Sequence, residues 1–163
     1  MTTKADFSED EWATLVRSPM VAGAAITLAD PGGPIEVLKE TSAVLKVVTS
    51  SSIEKRDDLV AALARDVRGL AEQRKNPLGD FKPRGALAAK EIIDEISRAD
   101  EIVSAKASHE EADAFRTWIL ECAQRAAEAA KEGGFMGFRA ERVSQGERDM
   151  LAQLRSALGA NGA

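Results

Sequence analysis

Four times along this chain a serine is followed three residues later by a glutamate, just ahead of an apolar segment: Ser8 and Glu11, Ser51 and Glu54, Ser108 and Glu111, Ser144 and Glu147. In that spacing the serine oxygen accepts the N–H of the third helical residue while the glutamate reaches back to the serine's own N–H. Each pair therefore reads as a helix start. Phe7 and Trp12 flank the first pair as a hydrophobic staple. Stops are as plain: Asp30-Pro31-Gly32-Gly33-Pro34 closes one helix and Gly133-Gly134 another, while the Pro- and Gly-bearing segment 76–85 is a loop.

Helical periodicity fills the stretches between these marks. The first helix covers about residues 8–17, and Ser18-Pro19 starts a second that reaches Ala29. A helix over about 34–48 places Ile35, Leu38, Leu45 and Val48 on its inward face. One over about 53–75 carries the stripe Leu59, Leu63, Val67 and Leu70, with Val60 beside it. Ile92, Ile96, Ala99 and Val103 mark a helix over about 84–105, with Phe81 folding back from the preceding loop. Ala112, Phe115, Ile119, Cys122, Ala126 and Ala129 mark one over about 108–132, and Leu151, Leu154 and Leu158 the last, over about 144–158.

No segment alternates as a strand would. The apolar fraction is 44%, yet aromatics are 4% and Tyr is absent; this Ala- and Leu-rich makeup favours closely packed helices over sheets. The expectation is an all-α fold, one domain over 1–163: a single helical bundle of about six or seven helices. Its main loops fall at about 76–85 and, rich in Gly and Phe, at about 133–143. Ala29-Asp30-Pro31-Gly32-Gly33 and Ala130-Lys131-Glu132-Gly133-Gly134 each close a small-residue helix with a tryptophan upstream, which suggests a pseudo-repeat of helix pairs.

A net charge of −5, with both signs scattered, lacks the basic stripe that neutralises phosphates, so nucleic acid is not an expected partner. The single cysteine fits a reducing compartment. The polar, acidic start lacks the apolar core of a signal peptide, and the run from Met20 to Ala29 is too short to span a bilayer. A cytoplasmic protein without membrane insertion is expected, with a homo-oligomer open.

Several chemistries are disfavoured by the residues themselves. Cys122 and His109 share one predicted helix at roughly 20 Å separation, for a rise of about 1.5 Å per residue, too far for a nucleophile–base pair. One histidine cannot build a di-iron site from Glu-x-x-His turns, nor the usual zinc sites. No phosphate-binding glycine loop is present. Carboxylates remain as acid–base or metal groups. Glu91, Asp94 and Glu95 share one helical face, with Asp94 spaced to pair with Arg98, and Asp57, Asp58 and Asp66 share another; both read first as solvated faces. Asp30 stands at a glycine-rich turn where main-chain carbonyls could join it around a hard cation, or it simply ends a helix.

In the segment Gly133-Gly134-Phe135-Met136-Gly137-Phe138, followed by Arg139 and Arg142, three large apolar side chains are set among three glycines. Two readings stay open: a lid sealing the bundle end, or a partner-docking patch rimmed by arginine.

Two stretches carry a family likeness. Leu28-Ala29-Asp30-Pro31-Gly32-Gly33 with Glu36, and Ala130-Lys131-Glu132-Gly133-Gly134 leading to Val143-Ser144 and Glu147, with a closing Leu158-Gly159, resemble the TerB-type helical domains of tellurite-resistance proteins. The resemblance implies an all-helical fold of pseudo-repeated helix pairs, a stress-response setting and divalent-metal binding through acidic residues. Pro31 interrupts the first turn, Lys131 stands at the second acidic place and the second loop is longer, so only Asp30 carries over as a metal ligand.

The expected function is a non-enzymatic interaction or accessory protein, stress-related and TerB-like, with a protein partner at Phe135, Met136, Phe138, Arg139 and Arg142 and no organic cofactor. The alternative is a divalent-cation-binding protein or carboxylate-based hydrolase within a helical bundle. A third reading, a ligand carrier, requires a cavity between the Ala-rich helices.

Overall fold

The structure, a computed structural model, describes residues 1–30, 34–56, 58–131 and 143–159. Among these residues it is all-α: α1 (Glu9–Ala29), α2 (Pro34–Val48), α3 (Ser51–Glu54), α4 (Leu59–Glu72), α5 (Ala88–Lys106), α6 (His109–Lys131) and α7 (Gln145–Ala157). Single 3-10 turns, Lys4–Asp6 and Gly85–Leu87, precede α1 and α5. The helices pack as a bundle around α1, which lies against α5, α6, α2, α7 and α4, while α2 covers α6.

Three of the expected capping boxes form. Ser8 Oγ accepts the N–H of Glu11, whose carboxylate takes the N–H of Ser8 at 2.7 Å, and the same reciprocal pair closes at Ser108 with Glu111 and at Ser144 with Glu147. Phe7 and Trp12 meet with ring centroids 5.6 Å apart. The fourth box does not form. Ser50 is the N-cap of the four-residue α3, so Ser51 already lies inside the helix.

The expected helix over 53–75 is also divided. α4 begins afresh at Leu59, because the Asp58 carboxylate accepts the N–H of Ala61 at 3.0 Å and gives that helix its own N-cap. Its stripe is inward: Leu59, Val60, Leu63 and Val67 are buried, with Leu70 at the margin.

The expected break at Ser18-Pro19 is absent, and α1 runs unbroken through Pro19. A proline inside a helix removes one backbone hydrogen bond and costs ~3 kcal/mol or more. Here the two halves bury one continuous surface: Leu15 and Val16 before the proline, Val21, Ala22, Ala25 and Ile26 after it. The Ser18 hydroxyl, itself buried, donates to the Thr14 carbonyl at 2.7 Å. Tertiary burial outweighs the local break. By length and mean hydropathy the whole of α1 could cross a membrane, unlike the shorter run from Met20, but 67% of its apolar window is buried inside the bundle. It is the core helix of this packed domain.

The α5 and α6 stripes are in the core, including Ile92, Ile96, Val103, Phe115, Ile119 and Cys122, while Ala129 is half-buried. Arg116 fastens the two helices, reaching Asp100 on α5 at 2.6 Å and Asp113 at 2.8 Å. The inward face of α2 differs from the expected one. Val48 is buried and Leu45 partly so, as expected, but Val44, Val47 and the carboxylate-bearing Glu40 are buried too and Leu38 is 66% exposed, while the Ile35 side chain lies outside what is described. Gly23 on α1 permits this close approach, since a Cβ there would lie 2.9 Å from Val44 Cγ2.

Candidate functional site

The most distinctive concavity is a groove of about 570 Å³ whose walls are α1, α2, the loop after α4 and the start of α5. Such a volume lies inside the ~300–1,000 Å³ typical of small-molecule sites. Helical spacing builds the first two walls. Met20, Gly23, Ala24, Thr27 and Leu28 recur at three- and four-residue steps along α1, and Val37, Glu40, Thr41 and Val44 do the same along α2.

The third wall is a loop organised by its own backbone. α4 ends through Arg74, a non-glycine residue at φ 54°, and the N–H of Lys75 returns to the Leu70 carbonyl at 2.9 Å. The Asn76 side-chain oxygen then accepts the Leu78 N–H at 3.1 Å, and the Phe81 N–H reaches the Leu78 carbonyl at 3.1 Å. Pro77, Leu78 and Pro83 are thereby presented to the groove, and Phe81 folds back on the core as expected.

Among the polar residues lining this groove is Glu40, 2% exposed, which accepts a short hydrogen bond from the Thr27 hydroxyl across the α1–α2 interface. Thr27 Oγ1 also lies 3.4 Å from the Gly23 carbonyl, and a hydroxyl has one proton to give. A buried carboxylate is costly without such donors. The groove is lined mainly by apolar side chains. Beyond Met1, the large hydrophobic side chains exposed among the described residues are Leu28, Val37, Leu38 and Leu87. Leu28 and Val37 line the groove, Leu38 lines a separate concavity between α2 and α6, and Leu87 precedes the groove-lining Ala88.

Other concavities have a different character. The one between α2 and α6, about 620 Å³, is edged by Lys39, Lys46, Glu121, Arg125 and Glu128. The one beside Trp12 is crossed by an interaction chain in which Asp66 accepts the Trp12 indole N–H at 2.7 Å and meets Lys4 at 2.8 Å.

Most carboxylates singled out in the sequence have structural partners. Asp58 caps α4, Asp66 holds Trp12, Glu91 accepts the Arg84 N–H at 3.4 Å and Glu95 faces Arg17 on α1 at 3.5 Å. Asp94 pairs with Lys90 rather than the expected Arg98, both on the exposed face of α5. Asp57 lies outside the described residues. Cys122 is fully buried, and burial pushes its thiol far above the ordinary range. His109 stands in solvent at the start of α6, its Nε2 3.4 Å from Asp113, and α6 runs without a break from there through Cys122.

Asp30 is the C-cap residue of α1 and donates its N–H to the Ile26 carbonyl at 3.2 Å. The preceding Ala29 carbonyl is packed against α7: a Cβ on Gly146 would lie 2.7 Å from it. Ala29, in the first resembling stretch, therefore lies against the start of α7, between Ser144 and Glu147. Glu147 is buried at the start of α7, with one oxygen on the Ser144 N–H at 2.6 Å and Oε1 without a hydrogen-bond partner among the described residues. Among those residues no group of three or more His, Cys, Asp or Glu converges to hold a metal. Phe135, Met136, Phe138, Arg139 and Arg142 lie outside the described residues.

The groove escaped the sequence reading because its parts are dispersed over three helices and a loop. Glu40 carried a signal all the same, since it falls in step with Val37, Val44 and Val47. Compared with family models, with curated proteins and with solved structures, the chain finds no match in any of the three.

Proposed function

We propose that this chain is a non-enzymatic binding protein of the accessory type, and that the α1–α2–α5 groove is its binding element. One observation carries the reading: the walls of this concavity are mainly apolar, and two of the exposed large apolar side chains among the described residues, Leu28 and Val37, stand in it. Contiguous exposed apolar surface marks interaction sites, because leaving it in water costs about 25 cal/mol per Å². The test is fluorescence titration with the neutral dye N-phenyl-1-naphthylamine. Saturable binding that Ala24→Trp abolishes, with the helical signal in circular dichroism retained, supports the groove. Binding unchanged by that substitution, or none, contradicts it. The stress-response setting suggested by the TerB likeness, a cytoplasmic location and a protein partner at Phe135, Met136 and Phe138 belong to the same proposal.

A second reading, a divalent cation at the Asp30 turn, draws on the close approach of Ala29, just before Asp30, to Gly146 at the start of α7. Calorimetric titration with calcium and magnesium tests it. Binding that Asp30→Ala removes supports the reading, and binding that survives the substitution refutes the assignment.

A further inference from the structure

The polar atoms of the groove narrow what it takes. Among the described residues its lining includes no lysine, arginine or histidine, so an anionic head would lose its water there without gaining a counter-ion. Glu40 is already engaged by the Thr27 hydroxyl and belongs to the α1–α2 contact, so a cationic head finds no carboxylate held in reserve. Two other concavities are edged by charges of both signs, as at Lys46 and Glu121, or at Lys4 and Asp66. The uncharged polar side chains of the groove are Thr27, Thr41 and Asn76. A hydroxyl has one proton, and both are spent: Thr27 gives its own to Glu40, and Thr41 to the Val37 carbonyl at 2.8 Å. Their oxygens keep lone pairs and still accept. Asn76 is the converse, since its oxygen takes the Leu78 N–H and its amide nitrogen is left to donate. Pro77 and Pro83 have no N–H to add.

Resting on the proposed groove function, we infer that its ligands are uncharged aliphatic alcohols: small molecules with the hydroxyl at Thr41 and Asn76 and the stem along Met20, Leu28, Val37 and Leu78. A hydroxyl both donates and accepts, which matches an acceptor on α2 and a donor on the loop after α4. An ether or a ketone could take the Asn76 N–H but has no proton for the Thr41 oxygen. The volume of about 570 Å³ suits a small molecule, and mainly apolar walls with a few placed polar groups are the usual composition of such a site.

The experiment is displacement of N-phenyl-1-naphthylamine from the full chain at neutral pH by octanol, its isomer heptyl methyl ether, octanoate and octylamine, each below its solubility limit or micelle concentration. At that pH octanoate is an anion and octylamine a cation. Octanol is expected to displace the dye at a concentration about tenfold or more below either ion, and about threefold or more below the ether. Thr41 is half-buried, so its variants leave the core alone. In Thr41→Val, which removes the acceptor, the dye still binds and octanol and the ether become equal. In Thr41→Lys, which adds a cation to the same lining, octanoate draws level with octanol or passes it. Either ion or the ether matching octanol on the native chain overturns the inference while leaving the groove reading intact. So does an advantage over the ether that survives Thr41→Val, or an octanoate deficit that survives Thr41→Lys. Failure of the native chain to bind the dye at all overturns the groove reading, and this inference falls with it.

Discussion

Helices α2 and α6 pack together more extensively than any other pair in the bundle, yet they relate to their sequences in opposite ways. Along α6 the apolar stripe is the buried face: Ala112, Phe115, Ile119, Cys122 and Ala126 all point into the core. Along α2 the apolar count misleads. Leu38 stands in solvent, and Glu40 takes a core position in register with Val44 and Val47. A helix covered along its length must bury every residue of one stripe. A helix that also forms the wall of a groove divides its apolar residues between core and rim, and admits a polar group where the neighbouring helix supplies a donor. Thr27 is that donor.

Core truncation on the α6 side should have the largest effect. Phe115→Ala is expected to destabilise the protein by about 3–5 kcal/mol in urea denaturation. A loss below about 1 kcal/mol would mean that α6 is not the covered helix described here. Next comes the α1–α2 contact. Thr27→Val leaves the buried Glu40 without its hydroxyl donor and should cost about 1–3 kcal/mol, although the two side chains are close in shape. The double variant Thr27→Val with Glu40→Leu should recover most of that loss, because exchanging both partners for apolar groups can be nearly neutral. A double variant worse than the single would show that Glu40 serves the fold through something other than Thr27.

Acid should act on α6 at its N-terminus. Burial raises the Glu111 pKa and is the largest single influence, but it is outweighed by the N–H and hydroxyl of Thr2 together with those of Ser108, which hold the carboxyl at about 2 instead of the ordinary 4.5. A carboxylate whose pKa is depressed by folding stabilises above its unfolded pKa and loses that contribution as the folded value is approached. Stability should therefore decline between about pH 4.5 and about 2. Thr2→Ala, read by the urea midpoint across this range, should make the decline shallower. An unchanged slope would mean that Thr2 does not hold the carboxylate in solution. The smallest effect belongs to α2's outer face: Leu38→Ser should shift stability by less than about 0.5 kcal/mol, where the sequence pattern by itself would demand a core-sized loss.

Much of the fold was legible in the sequence because helix starts and stops are local chemistry. Ser8, Ser108 and Ser144 form their boxes with the glutamates three residues on, and the α5 and α6 stripes need no knowledge of neighbours. What was not legible depended on tertiary context. Pro19 stays helical because both sides of it are buried against other helices. Asp58, read as part of a charged face, caps α4 because the chain turns before it. Of the candidate site, Asp30 was visible as a turn residue, but the groove was not, since Thr27, Glu40, Leu78 and Ile92 converge only in three dimensions. The requirement for a cavity between Ala-rich helices could be stated from composition, and its place could not.

The most direct test of the groove is backbone amide NMR of the full chain during titration with N-phenyl-1-naphthylamine. Shifts are expected to concentrate at Gly23, Thr27, Thr41, Leu78 and Ala88, which sit on separate elements and meet at this one surface. Shifts gathered instead along α6 and α7, or none as the dye is raised to its solubility limit, would contradict it.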